Sequence, residues 1–236
     1  MAWNDTGKSA GLPENVFIKS TPLSAKNRVM VGTLDMAVNE VRFYDELAPA
    51  LGGDVAPRAW YARAGCGARF LMVLEHLVAE GGRPYALADP CPIDHARTDR
   101  RIRQAAFDIL GQLALRHGPR LGTPVEHAAG QPVPELFYSR GRHAALKLDR
   151  PEAGPAAKAL VSALDGNADA FYRAFETGPL TLLHGDSHLG NTFSRADGRS
   201  GLLDWQVIWR GPGMREVTYW MVTGLEPGTR RAHERD

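Results

Sequence analysis

The sequence predicts an α+β fold in two lobes, the first strand-rich and the second mainly helical. Three observations carry that expectation. β-rich runs crowd the early part of the chain, apolar residues then recur at helical spacing, and a short hairpin pattern stands out near residue 200. The texture changes at residues 78–83, dividing the chain into 1–78 and 79–236.

With 236 residues, 44% of them hydrophobic and 23% charged, the chain is long enough to bury a core. A formal net charge of +1 argues against partners held by bulk electrostatics, namely nucleic acid or an anionic membrane. No apolar run reaches bilayer-spanning length, and residues 1–20 lack the hydrophobic segment of a signal peptide. Cys66 and Cys91 have neither CxxC spacing nor zinc partners, and two spare thiols without a leader fit a reducing cytoplasm. The oligomeric state is left open.

Taken in order, "ENVFIKST" (14–21) reads as a strand, and "NDTGKSAGLP" before it as a hairpin connection. Only Met1 to Trp3 precede that turn, so the first lobe is expected to be incomplete. "TGKS" (6–9) mimics the end of a Walker A motif. Ala2 stands where the motif needs Gly, and Gly11-Leu12-Pro13 forbids the helix that should follow, so the match is rejected.

Residues 34–48 read as a helix with Asp35 as N-cap and Pro49 marking its end. Ala37, Val41, Tyr44, Leu47 and Ala48 form its apolar stripe, and Glu40 falls inside it. A core-facing carboxylate needs a cation or hydrogen bonds, so this helix demands a lysine. "PRAWYARAG" and "ARFLMVLEHL" follow as two strands joined around Gly65 and Gly67.

Beyond the boundary, "RIRQAAFDILGQLALRH" places Ile102, Ala106, Ile109, Leu113 and His117 on one helical face, His117 as a satisfied core histidine. Residues 118–155 read as a long irregular connection. Leu160, Leu164, Phe171 and Phe175 then mark a second helix face. A last helix, 213–222, is expected to turn Met214, Val217, Thr218 and Met221 inward, with Tyr219 and Trp220 as packing residues.

The chemistry concentrates in "LTLLHGDSHLGNTFSRADGRSGLLDWQ" (180–206). A buried strand, Leu180 to Leu183, delivers His184, Gly185 and Asp186. A hairpin follows, its arms Thr192 to Ser194 and Gly201 to Asp204, with Asp197-Gly198 in the turn. Asn191 and Asp204 therefore stand at the two feet, with Asp186 on the adjoining loop. Two carboxylates and a carboxamide suit Mg²⁺, a hard cation that takes phosphate oxygens. Asp186, five residues before Asn191, is placed to accept a proton from a hydroxyl nucleophile. A plain polar turn between strands is the alternative, but it gives no reason for the order H-G-D-x-H-x-G-N with an Asp thirteen residues after the Asn.

"HGDSHLGN" followed by "LLDW" resembles the aminoglycoside phosphotransferase and choline kinase family, which shares the protein-kinase-like fold. "NEVRFYDELAP" is similar to the ecdysteroid-kinase-like branch of that group, and the resemblance runs from about residue 14 to the C-terminus. It implies Asp186 as catalytic base, and Asn191 and Asp204 as Mg²⁺ ligands. His184 and His188 would brace the loop, Lys19 would touch the α- and β-phosphates of ATP, and Glu40 would be its helix partner. Leu74, Glu75 and His76 would form the hinge whose backbone meets adenine. The implied reaction is transfer of the ATP γ-phosphoryl group to a hydroxyl of a small molecule. Departures from the family pattern are the missing phosphate-covering turn, an early C-terminal stop, and Glu216 where many relatives carry Asp. They keep two alternatives open: a catalytically silent nucleotide-binding or scaffold protein, and a Mg²⁺-dependent phosphatase or ATPase.

Overall fold

The computed structural model describes residues 3–51, 55–86, 154–163, 177–178 and 180–233. The expected helix over 101–117, the connection 118–155 up to residue 153 and the stripe positions Leu164, Phe171 and Phe175 lie outside the described residues.

The N-terminal part is built on an antiparallel sheet of β1 (Val16–Ser20), β2 (Ala59–Ala64) and β3 (Phe70–Glu75), in the order β1-β3-β2. β1 pairs Phe17 with Leu74 and Lys19 with Met72, so the lysine shares a face with core residues. The turn between β2 and β3 uses Gly67 at φ 65°. In place of the expected hairpin before β1 stands one turn of helix, α1 (Asp5–Ser9). Asn4 and Asp5 suit a cap as well as a β-turn. Here Asn4 Oδ1 accepts from the Gly7 N–H at 2.9 Å, and the Trp3 indole closes the loop onto the Pro13 carbonyl at 2.6 Å.

A helix that the pattern reading passes over, α2 (Ala25–Thr33), comes next. Val31 is buried while Val29 and Met30 are exposed, so no apolar stripe advertises it. The expected helix over 34–48 is α3 (Met36–Arg42), continued by a π-helical turn, Phe43–Leu47, and a 3₁₀ turn, Ala48–Leu51. Asp35 occupies the cap position at φ 50° but its side chain caps nothing, and Pro49 lies within the 3₁₀ turn instead of ending the helix. The inward stripe holds: Ala37, Val41, Tyr44 and Leu47 are buried, and so is Glu40 at 2% exposure.

After β4 (Arg83–Pro84) and α4 (Pro155–Ala163), β5 (Leu180–Leu183) pairs with β8 (Trp209–Pro212). The hairpin of β6 (Thr192–Ser194) and β7 (Ser200–Leu202) forms as expected, with β4 against β6. Leu160 is exposed, against the sequence expectation. α5 (Gly213–Gly224) also presents a different face: Glu216, Trp220 and Gly224 are buried, whereas Met214 and Thr218 are exposed. A buried glutamate on that face defeats stripe-reading by hydrophobicity. α6 (Pro227–His233) follows.

One core joins the two parts. Val41, Phe43, Tyr44, Met72 and Leu74 from the N-terminal sheet and helix meet Leu182, Leu202, Trp205 and Ile208 from the C-terminal strands. Fully burying a side chain such as Phe43 contributes about 2–3 kcal/mol, so this cluster holds the lysine strand over the hairpin feet. Among the described residues no helix is long and apolar enough to cross a membrane.

Candidate active site

β5 ends on His184, Gly185 and Asp186. Gly185 sits at φ 85°, a left-handed conformation that side-chain-bearing residues resist. Its N–H donates to Glu216 Oε2 at 3.0 Å, so α5 anchors the loop through a buried carboxylate. The substitution of Glu for Asp at 216 thus still reaches the loop.

His184 is buried and uses both ring nitrogens. The Asp186 N–H donates to Nδ1 at 3.2 Å, which makes Nε2 the protonated nitrogen and donor to the Leu203 carbonyl at 2.6 Å. Its ring also meets Trp205 edge-on at 4.7 Å. One imidazole therefore ties the Asp186 backbone to the residue before Asp204. His188 lies lower in the loop, its Nε2 3.6 Å from Asp186 Oδ2.

Asn191 completes the clasp. Its Nδ2 donates to the Asp186 carbonyl at 2.8 Å and approaches Asp186 Oδ2 at 3.4 Å, while its own carbonyl accepts from the Leu203 N–H at 2.7 Å. With the nitrogen spent on Asp186, Oδ1 remains as the side chain's acceptor oxygen.

Opposite this loop, Lys19 Nζ donates to Glu40 Oε1 at 2.9 Å, to Glu40 Oε2 at 2.7 Å, and to Asp204 Oδ1. The core-facing carboxylate has found its lysine. Asp204 holds a left-handed φ of 62°, unusual for a residue with a side chain, and its Oδ2 accepts from Gln206 Nε2 at 3.0 Å. Two carboxylates share one ammonium in a half-buried place, so one negative charge stands in excess whenever Glu40 is ionised. Burial pushes the Lys19 ammonium down, but Glu40 and Asp204 overcome it and hold its pKa above the ordinary value. Burial lifts the Glu40 carboxyl from its ordinary 4.5 to about 7; Lys19 pulls it down and the Asp204 charge adds to the rise.

A cavity of about 510 Å³ opens beside this cluster, lined by the polar Lys19, Asn191, Asp204 and His76 and by the apolar Phe17 and Leu74. Asp186 is not among the residues that line it, but is tied to one of them by the Asn191 amide. The three hinge positions behave differently. Leu74 and His76 line the cavity, as does Glu75, but the Glu75 N–H donates to the Arg58 carbonyl at 2.8 Å. The Glu75 carboxylate is gripped by Arg195 at 2.6 and 3.2 Å, a tie from the hairpin turn back to β3.

The donor set fits a hard divalent cation. Asp204 and Asn191 both line the cavity and both carry oxygen donors, and the pair of carboxylates around Lys19 favours positive charge there. Among the described residues no three His, Cys, Asp or Glu gather into a closed metal cage. Sequence reasoning missed Arg195 and the part Tyr219 plays: the Tyr219 hydroxyl donates to Asp186 Oδ1 at 3.0 Å, although the ring is exposed.

The model of the phosphotransferase enzyme family matches residues 31–219. Three solved structures are similar. Choline kinase LicA from Streptococcus pneumoniae has a TM-score of 0.52 at 11% identity, over 92% of this chain and 65% of its own. A type VIII aminoglycoside-3'-phosphotransferase has a TM-score of 0.55 at 15% identity, over 93% and 76%. Macrolide 2'-phosphotransferase MphH from Brachybacterium faecium has a TM-score of 0.51 at 16% identity, over 98% and 80%. The chain thus spans under two thirds of the choline kinase's length. No curated protein matches. At these identities the structural likeness establishes the fold, an α+β kinase-like one. Since the family model spans most of the sequence and takes in both the Glu40 helix and the 184–204 loop and hairpin, the chain belongs to the phosphotransferase enzyme family.

Proposed function

We propose that the protein transfers the γ-phosphoryl group of ATP to a hydroxyl of a small molecule. The observation that carries this reading is the position of Lys19, which bridges Glu40 and Asp204 at the edge of a cavity that Asn191 shares. Phosphoryl transfer asks a protein for positioning and charge neutralisation more than for covalent chemistry, and these residues supply both. Residues 1–78 would form the nucleotide-binding part, and 79–236 the part bearing the catalytic loop and hairpin.

Lys19 is kept cationic and aimed by Glu40, so it can grip the α- and β-phosphates without searching. Phe17 and Leu74 give an apolar seat for the adenine, next to the hinge backbone at His76. Asn191 Oδ1 and the Asp204 carboxylate would hold Mg²⁺, whose charge would offset that of the β- and γ-phosphates. Asp186 orients the acceptor hydroxyl and takes its proton as the bond to phosphorus forms. His184 and Glu216 keep the loop in register with the hairpin while this happens.

The test is a screen of hydroxylated metabolites, choline, aminoglycosides and macrolides among them, with Mg·ATP, reading phosphorylated product beside a thermal shift. Nucleotide binding with no transfer to any acceptor would overturn the proposal and leave a silent nucleotide-binding protein. Phosphate release that no acceptor in the screen diverts into phosphorylated product would point instead to a hydrolase.

A further inference from the structure

Asp186 has two carboxylate oxygens in unlike surroundings. Oδ1 accepts a hydrogen bond from the Tyr219 hydroxyl at 3.0 Å. Among the described residues Oδ2 has only longer approaches, 3.4 Å from Asn191 Nδ2 and 3.6 Å from His188 Nε2. Tyr219 is 40% exposed, so burial does not explain where its ring lies. What fixes it is the helix. Glu216 and Trp220 on the same α5 are buried, Glu216 grips the Gly185 N–H, and Thr223 Oγ1 donates to the Tyr219 carbonyl at 2.7 Å. Glu216 and Tyr219 are three residues apart and therefore neighbours on the helix surface. One holds the loop's backbone and the other its carboxylate.

We infer that Tyr219 is a positioning residue for Asp186: its hydroxyl pins Oδ1 and so presents Oδ2 to the acceptor. This rests on the phosphotransferase reading above. A carboxylate attached through a single bond rotates, and every rotation away from the acceptor is unproductive time. With Oδ1 pinned, the balance of the step is definite. The acceptor oxygen bonds to the γ-phosphorus, the bond from that phosphorus to the ADP oxygen breaks, and the acceptor proton moves to Asp186 Oδ2. Burial, and then the hydrogen bond to Asp186, push the Tyr219 hydroxyl up to about 12, so it stays protonated as a donor throughout.

The experiment compares wild type, Y219F, D186N and the double variant in the full chain. ADP release is measured with Mg·ATP alone, where water is the acceptor, and with choline or kanamycin added. Y219F should lower kcat about tenfold, the worth of one hydrogen bond to a charged group. The KM for ATP and the melting temperature should stay near wild type, and the double variant should be no slower than D186N. Unchanged kcat in Y219F would overturn the inference, as would a loss that tracks a fall in melting temperature. Phosphate found on Tyr219 by peptide mapping would also overturn it, since the residue would then be an acceptor. A wild type that releases no ADP under any condition would bring down the phosphotransferase reading and this inference with it, a result distinct from an active enzyme indifferent to Y219F.

Discussion

Replacing Glu40 with Gln should stabilise the protein at alkaline pH while crippling it. Glu40 is 2% exposed, and burial sets its carboxyl at about 7 in the fold against an ordinary 4.5. The sign follows from linkage: the folded state binds the Glu40 proton more tightly than the unfolded state does. The stability this group contributes is complete below pH 4.5 and drains away as the pH rises through 7. At about 1.36 kcal/mol for each pH unit between 4.5 and about 7, ionised Glu40 costs the fold about 3 kcal/mol. Gln has the shape of the protonated acid and no charge to lose. Lys19 does not titrate in this window, because its pKa is held above the ordinary lysine value. Urea unfolding of both proteins from pH 4.5 to 8 should therefore show the difference, variant minus wild type, climbing by about 3 kcal/mol. At pH 8 phosphoryl transfer should nevertheless fall by about tenfold or more, because Lys19 keeps only Asp204 as an anion and is no longer aimed by two oxygens of Glu40. If E40Q loses more stability at pH 8 than at pH 5, the carboxylate is a net stabilising ion and the reasoning fails.

Three further outcomes are open to measurement. Arg195→Ala should cost about 2–3 kcal/mol in chemical denaturation, because it strips the paired guanidinium from Glu75, a carboxylate only 10% exposed. Asp204→Asn should keep the fold by circular dichroism but abolish the magnesium-dependent part of ATP binding in calorimetry, whereas Asp186→Asn should bind Mg·ATP normally and keep only a small residual rate of transfer. Phe43→Ala should destabilise by about 3–5 kcal/mol in urea unfolding, since the ring is fully buried and stacked on Trp205.

The sequence was most legible where chemistry and local geometry agree. The strand ending at Leu183, the hairpin with Asn191 and Asp204 at its feet, and the lysine demanded by Glu40 could all be read, because each imposes a residue type at a fixed spacing. Short polar segments were less so. Asn4-Asp5 can cap a helix or turn a hairpin, and only the bond to the Gly7 N–H decides between them. α2 escaped notice because its apolar residues do not share a face. The inward face of α5 was misread because its anchor is a glutamate, which no hydrophobic pattern reveals. Arg195 meets Glu75 across 120 residues, and no local rule reaches that far.

The stack of Phe43 on Trp205, at 3.9 Å and within 6° of parallel, has a bearing on regulation. Phe43 opens the π-helical turn that follows Glu40 on the same helix, and Trp205 follows Asp204 directly. Rings pressed flat together make those two acids passengers of one rigid body. In kinases governed by a mobile helix, an activating signal swings the glutamate toward its lysine. Here such a swing would have to unstack two aromatic rings in the middle of the core. The pairing of Glu40 with Lys19 is thus locked in by the core itself, at the cost of the freedom a swinging helix would need.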